Sequence, residues 1–399
     1  MPRWRLGPAA VAVGLLGAVA LGAAHGASAP DRASLRLSAG SGLDRSAAAA
    51  VQDAAGFTAL RFADARHGWL SDSNGILATT DGGQTWRRQY TSEPIHAFAA
   101  LDPQLAWAVG ARSVLGTADG GQHWEVLATP SVPLSRVDFA TARRGWGIAA
   151  ASSQGPYAPI PAGAVVATDD GGRTWTPRPA PGPAQTLCFR HPERGWAAGH
   201  TTVWRTLDAG RTWQAVLTSP AAEGLPATAD ALTPFAADVQ CAADAVAWVL
   251  FTGPGAMHQA GWALYRTEDG GASWTPLVTS GQFFPPVGAP ASQGGWSAVR
   301  LAAVDARTAY LAGVCAPCSL PGTQEQGTVS IGAARADRQS WQVYASIPGL
   351  SGPGLSAFPP VLTFVTPERG WLAAASAGRA LFTTDNGGAA WQPVPVVEE

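Results

Sequence analysis

The chain contains no lysine, so all 26 of its basic residues are arginines. This absence excludes Schiff-base chemistry and a lysine general base. Charge is also scarce, at 14% of residues, and the formal net charge of -2 gives no electrostatic reason to expect nucleic acid as a partner. No Gly-x-Ser-x-Gly, phosphate-loop or His-Glu-x-x-His pattern occurs, and the histidines lack metal-ligand spacing. We therefore expect no cofactor and no metal.

Long apolar runs are missing except for one near the N-terminus. Arg3 and Arg5 precede an uncharged stretch over 6–24, and small residues follow at 26–29. This order is typical of a secretory signal, although the apolar run is nearly long enough to span a bilayer uncleaved. We predict a signal peptide or N-terminal membrane anchor over 1–29 and a linker over 30–55. The remainder is then secreted, periplasmic or anchored on the outer side of the cytoplasmic membrane, with no other membrane contact.

An eight-residue pattern, Thr-Thr-Asp-Gly-Gly-Gln-Thr-Trp at 79–86, recurs along the chain. We call this segment the Asp box. Four further copies lie at 117–124, 168–175, 206–213 and 267–274, a worn copy lies at 334–341, and a last copy at 383–391 carries one extra residue before its Trp. Internal repetition at intervals of about forty to sixty residues indicates a repeat architecture.

A second landmark precedes each box. It is a Gly-Trp pair such as Gly68-Trp69, or Ala-Trp or Ala-Tyr in its place, with Phe62 or its counterpart seven residues earlier in an apolar run. Each unit therefore reads as four short strands, and the 47 glycines and 32 prolines supply the turns. Four antiparallel strands repeated seven times predict an all-β, seven-bladed β-propeller over 56–399.

The box residues have a structural interpretation. Glycine tolerates the positive φ of a tight turn, the carboxylate can accept backbone N–H groups, and the indole buries a large ring. We assign this structural role to the following Asp and Trp residues: Asp81, Trp86, Asp119, Trp124, Asp170, Trp175, Asp208, Trp213, Asp269, Trp274, Asp385 and Trp391.

The pairing of Gly-Trp-x-x-Gly, as at 195–199, with the Asp box resembles the photosystem II assembly and stability factor-like propellers. The Asp box itself resembles the bacterial neuraminidase repeat of sialidases, sortilin-type receptors and xyloglucanases. The first resemblance covers about residues 56–399 and implies an extracytoplasmic assembly factor that binds a protein subunit. A sialidase-like segment of the Phe-Arg-Ile-Pro type is absent, and Asp64, Asp138 and Asp244 are the carboxylates considered for glycosidase chemistry.

Four cysteines in an exported chain suggest disulfides, and four cysteines allow three connectivities. We interpret Cys315 and Cys318 as a local disulfide, or staple, within a loop. Cys188 and Cys241 lie in first strands, with side chains expected on opposite sheet faces, and buried free thiols are the simpler interpretation for them.

The two faces of the propeller differ in sequence. Large insertions fall between second and third strands or between blades, whereas box turns and first turns stay short, so we expect the insertions on the face opposite the boxes. These loops carry aromatic residues suited to protein contact: Tyr157, Trp262, Phe283, Phe284 and Trp296. The first turns carry arginines that either pair with nearby carboxylates or accept acidic peptides: Arg66, Arg143, Arg144, Arg194, Arg307 and Arg369.

The function expected from these features is non-catalytic binding of a protein or peptide by a monomer, in the manner of an assembly or stability factor for a membrane complex. A carbohydrate-binding or diverged sialidase-like glycosidase propeller is the alternative. Two or more carboxylates with aromatics at the channel mouth would favour the carbohydrate alternative, whereas an apolar loop rim would favour protein binding.

Overall fold

The computed structural model describes an all-β structure with no helix in its described part. The described residues are 56–150, 163–179, 182–219, 236–256, 259–280, 296–319, 326–336, 340–344, 347, 360–376 and 378–396. The chain divides into two units, Met1–Ala47 and Ala48–Glu399, and the propeller lies within the second. In the described residues, no helix has the length and apolarity to cross a membrane. The predicted N-terminal signal or anchor and the linker lie outside the described residues and stay predictions.

The strands are short and follow one another in groups of four. Their bounds, blade by blade, are β1 Ala59–Phe62, β2 Gly68–Asp72, β3 Gly75–Thr79, β4 Arg87–Tyr90; β5 Ile95–Ala100, β6 Ala106–Gly110, β7 Val114–Thr117, β8 Glu125–Ala128; β9 Leu134–Phe139, β10 Gly145–Ala149, β11 Val165–Thr168, β12 Thr176–Pro177; β13 Thr186–Phe189, β14 Gly195–Gly199, β15 Thr202–Thr206, β16 Gln214–Thr218; β17 Ala236–Cys241, β18 Ala247–Ala256, β19 Gln259–Thr267, β20 Thr275–Ser280; β21 Ser297–Ala303, β22 Thr308–Ser319, β23 Gln326–Arg335, β24 Ser340–Tyr344; β25 Val361–Phe364, β26 Gly370–Ser376, β27 Gly378–Thr384 and β28 Gln392–Val394.

Each group of four consecutive strands forms one antiparallel sheet, and there are seven such sheets. The predicted seven-bladed propeller is therefore confirmed. Each blade comes from a single continuous stretch of chain, so the first and last blades share no strand. They meet through side chains: Phe62 stacks on Trp371, with ring centroids 3.6 Å apart, and the Trp371 indole donates to the Gly82 carbonyl at 2.9 Å.

The same contact recurs between neighbouring blades inside the ring. The aromatic ring of a second strand stacks on the phenylalanine of the next blade's first strand, at 3.6 Å for Trp107 on Phe139 and for Trp146 on Phe189. These indoles also donate to carbonyls of the next blade's box turn, Trp107 to Gly171 at 2.8 Å and Trp146 to Ala209 at 3.0 Å. The landmarks found in the sequence are thus the parts that join blade to blade.

Glycine precedes the landmark tryptophan because the phenylalanine ring of the first strand occupies the space that a side chain at the glycine position would need. A Cβ on Gly145 would lie 2.5 Å from the Phe139 ring, and one on Gly68 would lie 2.6 Å from Phe62. Alanine replaces this glycine in three blades, and there the paired residue is small: Ala106 faces Ala100, Ala247 faces Cys241, and Ala309 faces Ala303. The two positions therefore vary together across the repeats.

The first Asp box shows how the turn is held. The Thr79 hydroxyl donates to the Asp81 carboxylate at 2.7 Å, and the same carboxylate accepts the Thr85 N–H at 3.0 Å and the Thr85 hydroxyl at 2.8 Å. Gly82 and Gly83 adopt φ of 79° and 94°, conformations that an L side chain rarely adopts. The carboxylate is thus occupied by its own turn.

The last box differs from the sequence interpretation. Asn386, not Asp385, takes the position of the box aspartate: its side-chain oxygen accepts the Thr384 hydroxyl at 3.0 Å and the Ala390 N–H at 2.9 Å. Thr384 pairs with Gly370 as Thr79 pairs with Gly68. The prediction of an extra residue before Trp391 was therefore wrong. The box begins at Thr384, and Asp385 plays no part in holding the turn.

The cysteine interpretation was wrong for one pair. Cys188 and Cys241 form a disulfide with Cα atoms 5.6 Å apart. Their side chains do project from opposite faces of their sheets, but the sheets belong to adjacent blades, so those two faces meet. Cys315 and Cys318 lie in β22 rather than in a loop, and their side chains lie outside the described residues; the staple between them stays a prediction.

Candidate functional site

The box turns and the first turns lie on one face of the propeller. In every blade a backbone N–H of the box segment donates to a carbonyl of the same blade's first turn, for example Gly82 to Arg66 at 2.8 Å and Gly171 to Arg143 at 2.8 Å. We call this surface the box face. Connections from second to third strands emerge at the opposite end, as the sequence predicts.

The first-turn arginines on the box face mostly serve their own turns. Arg66 and Arg143 donate through Nε to box-turn carbonyls at 3.2 and 3.3 Å. Arg144 forms a salt bridge with Asp169 at 2.8 Å, and Arg194 lies 3.9 Å from Asp244. Arg369 stacks over the Trp371 indole at 4.9 Å, and Arg307 is exposed at a turn whose N–H groups are held by Asp305. Two of these six arginines therefore lie beside a carboxylate, and three others are held by carbonyl oxygens or an indole ring.

Two of the predicted contact aromatics are buried instead of displayed. Trp262 is 0% exposed and Trp296 is 3% exposed, and their rings stack with centroids 5.9 Å apart. The insertion that contained Trp262 continues as strands β18 and β19, and Trp262 pairs with Thr252, so its indole fills the core between two blades. Tyr157, Phe283 and Phe284 lie outside the described residues.

Charged side chains meet in the central channel, a cavity of about 650 Å³ lined by the first strands of all seven blades. The described lining residues include four arginines and two aspartates: Arg61, Arg136, Arg190, Arg300, Asp138 and Asp238. Within the described part of the chain, the salt bridges use other arginines, and none of these four guanidiniums forms one there.

Arg61, Asp138 and Arg190 form one cluster, the box-side triad. Asp138 is held by backbone N–H groups, from Phe139 at 3.1 Å and from Phe189 at 2.8 Å. Burial raises the pKa of Asp138, while these N–H groups and the two arginines act in the opposite direction. Burial and the neighbouring Arg190 lower the pKa of Arg61, whose buried Nε has no hydrogen-bond partner among the described residues.

Arg136, Asp238 and Arg300 form a second cluster, the far-side triad. Asp238 accepts a hydrogen bond from Gln240 at 3.1 Å. Burial raises the pKa of Asp238, and Arg136, Gln240 and Arg300 counteract it. Burial also lowers the pKa of Arg300, and Arg136 adds to this effect by repulsion. Each triad therefore holds two positive charges against one negative charge.

The channel is lined by buried charged groups in which arginines outnumber aspartates, and this suits the binding of an anion. Of these six residues, only Asp138 was among the candidate carboxylates named from the sequence. The available signal was the presence of charges within short first strands that are otherwise apolar, such as Arg61 directly before Phe62. Among the described residues, no group of His, Cys, Asp and Glu side chains is arranged to hold a metal ion.

These features define a seven-bladed β-propeller with Asp-box turns and an arginine-lined channel. No protein-family model matches the sequence, and no curated protein matches it. Solved structures share the fold: YCF48 bound to a D1 peptide is 16% identical, with a TM-score of 0.47, and the match covers 86% of this chain and 94% of that one. An ancestral GH74 enzyme is 13% identical, with a TM-score of 0.54 over 85% of this chain, which spans 46% of that enzyme. At these identities the likeness extends to the fold alone.

Proposed function

We propose that the protein is an exported, non-catalytic binding protein whose central channel accepts an anionic segment of a protein or peptide partner. The observation that carries this proposal is the set of four channel arginines, which form no salt bridge among the described residues, against two aspartates. Guanidinium groups bind carboxylates through paired N–H donors, and low dielectric strengthens that attraction. A segment with acidic side chains would supply the missing acceptors.

Export is supported by two features. The apolar run over 6–24 has the composition of a secretory signal, and the Cys188–Cys241 disulfide suits an oxidising compartment. A role in assembling or stabilising a membrane complex is the biological process that accords with such a location.

We propose that the protein is non-catalytic because the channel aspartates already accept hydrogen bonds from the protein. Both Asp138 oxygens already accept backbone N–H groups, and Asp238 accepts the Gln240 amide. A general acid needs a carboxyl free to approach the scissile bond. Both Asp138 oxygens and one Asp238 oxygen are instead hydrogen-bonded within the channel wall.

Peptide binding tests the proposal. Fluorescein-labelled eight-residue peptides of alternating Glu and Ser, Lys and Ser, or Gly and Ser are titrated with the full chain, and anisotropy is measured at several salt concentrations. The acidic peptide should bind and weaken as salt rises, since screening reduces attraction between charges. Replacing Arg61 and Arg300 together with Gln should weaken binding at least about tenfold, because two charge-assisted contacts are lost.

The matched control replaces Arg143 and Arg194 with Gln, two arginines of the box face, and should leave the affinity within about twofold. Equal affinity for the acidic and neutral peptides, or an unchanged affinity in the folded channel variant, would contradict the proposal. Melting temperatures of both variants verify that each is folded.

A glycosidase remains the second candidate, favoured by the presence of Asp138 and Asp238 in one cavity with raised pKa values. Paired carboxylates of unequal protonation are what glycoside hydrolysis requires. Turnover of an acidic-sugar glycoside, abolished by Asp138→Asn, would favour this candidate over pure binding.

A further inference from the structure

The two triads lie at different depths of the channel. Arg61 and Asp138 stand opposite Trp69 and Trp146, the landmark tryptophans of their blades. Arg136, Asp238 and Arg300 stand opposite residues two positions further along the second strands, Ile148, Leu250 and Ala312. The first strands run toward the box face, so the far-side triad lies two residues deeper.

Two residues along a strand correspond to about 6.6 Å, because each residue advances the chain by about 3.3 Å. Each triad contains two arginines and one aspartate. Arg61 and Asp138 mark the level of the box-side triad, whereas Arg190 directly follows Phe189 and lies two positions nearer the box face. The channel therefore presents two anion-binding points, spaced along its axis at the repeat distance of an extended peptide.

The aspartates do not neutralise these points by direct contact. Asp138 is turned to the N–H groups of Phe139 and Phe189, and Asp238 is hydrogen-bonded to Gln240. Gln240 itself bridges to the next blade, donating to the Leu301 carbonyl at 2.8 Å and accepting the Ala303 N–H at 3.0 Å. The aspartates thus moderate the charge of each triad without forming a salt bridge within the described residues. Arg190 Nε donates to the Cys241 carbonyl at 3.4 Å and one terminal nitrogen of Arg300 donates to the Val299 carbonyl at 3.2 Å, which leaves the other guanidinium nitrogens of the four arginines for a ligand.

We infer that the channel recognises two carboxylates at once, carried at positions i and i+2 of an extended segment of the partner. This inference rests on the proposed function. In an extended chain, side chains i and i+2 lie on one side and are separated by about 7 Å. One carboxylate then engages the box-side triad and the other the far-side triad.

Spacing peptides test this inference. Four labelled, terminally capped peptides of equal length carry a single Glu, or two Glu residues at i and i+1, at i and i+2, or at i and i+4, in a Ser and Gly background. The i and i+2 peptide should bind about tenfold tighter than the single-Glu peptide, since it gains one charge-assisted contact. The other two-Glu peptides should fall between them.

Single substitutions in the full chain locate each contact. Arg61→Gln and Arg300→Gln should each lower the affinity for the i and i+2 peptide to that for the single-Glu peptide. Arg143→Gln, on the box face, should leave this affinity unchanged. Equal binding of all three two-Glu peptides, or the tightest binding by the i and i+1 peptide, would overturn two-point recognition and leave the proposed function standing. No binding by any Glu peptide would remove the proposed function itself.

Discussion

At the scale of single residues, the box aspartates are mostly half-buried and accept several hydrogen bonds each. Asp170 accepts both the N–H and the hydroxyl of Thr174, at 2.9 and 2.6 Å. Although partial burial opposes it, these hydrogen bonds lower the pKa of Asp170 to about 2. Hydrogen bonds from the His123 backbone and side chain likewise lower the pKa of Asp119 to about 2. The ionised carboxylates therefore favour the folded state.

We expect acid to weaken the propeller through these groups. A carboxylate with a lowered pKa contributes stability above its unfolded value, near 4, and this contribution is lost as pH falls toward about 2. Asp138 and Asp238 have the opposite effect, because their pKa values are raised in the folded state. Folding therefore favours their protonated forms, and their contribution to stability decreases as pH rises. Thermal unfolding measured from pH 5 to pH 2 should show the decline.

Asp170→Asn should make that decline shallower, and the last blade supplies its matched control. Asn386 already holds its box without a titrating group, so Asn386→Asp should make the decline steeper. The same pH slope in both variants and the natural sequence would show that the boxes do not govern acid stability.

At the scale of strands, the joint variation of the glycine and phenylalanine positions invites a double-mutant cycle. Gly145→Ala should lower the free energy of unfolding by about 1–3 kcal/mol, because its Cβ would overlap the Phe139 ring. In a Phe139→Ala background the same change should cost almost nothing, since the second blade already pairs Ala106 with Ala100. Denaturant unfolding of the four proteins measures the coupling, and additive effects would contradict the steric explanation.

Strand register also explains which sequence predictions succeeded. The repeated landmarks predicted the blades because the same residues join each blade to the next. The last box was misplaced because Asp385 and Asn386 are adjacent and chemically similar, and only the pairing of Thr384 with Gly370 distinguishes them. Trp262 was assigned to a loop because an insertion between landmarks can equally lengthen a hairpin, which buries the residue.

At the scale of the whole molecule, the site depends on contacts that no sequence spacing reveals. Arg61 and Arg190 belong to different blades and share no repeat position, yet closing the ring places both beside Asp138. The Cys188–Cys241 disulfide likewise joins residues 53 positions apart. The three far-side residues occupy equivalent positions in their blades, as do Arg61 and Asp138, but the residue type there changes between arginine and aspartate. A search for recurring residues therefore finds the frame and overlooks the site.

Ring closure is a second property of the whole molecule. Among the described residues, no backbone–backbone hydrogen bond joins the first and last blades, and Trp371 links them by stacking on Phe62 and donating to the Gly82 carbonyl. Trp371→Phe should cost about 1 kcal/mol through the lost hydrogen bond, and Trp146→Phe, its counterpart inside the ring, should cost about the same. Hydrogen exchange should accelerate in β1 and β25 only for Trp371→Phe. Unchanged exchange there would show that the seam is not the weak point of the ring.

The most direct test of the central claim is to locate the bound segment. An acidic peptide with Glu at i and i+2 and a photoreactive benzoylphenylalanine between them is cross-linked to the full chain and mapped by mass spectrometry. The account predicts cross-links to first strands that line the channel, within 57–61, 135–138 or 300–303. Cross-links confined to the first turns of the box face, around Arg66, Arg143 and Arg194, would contradict it.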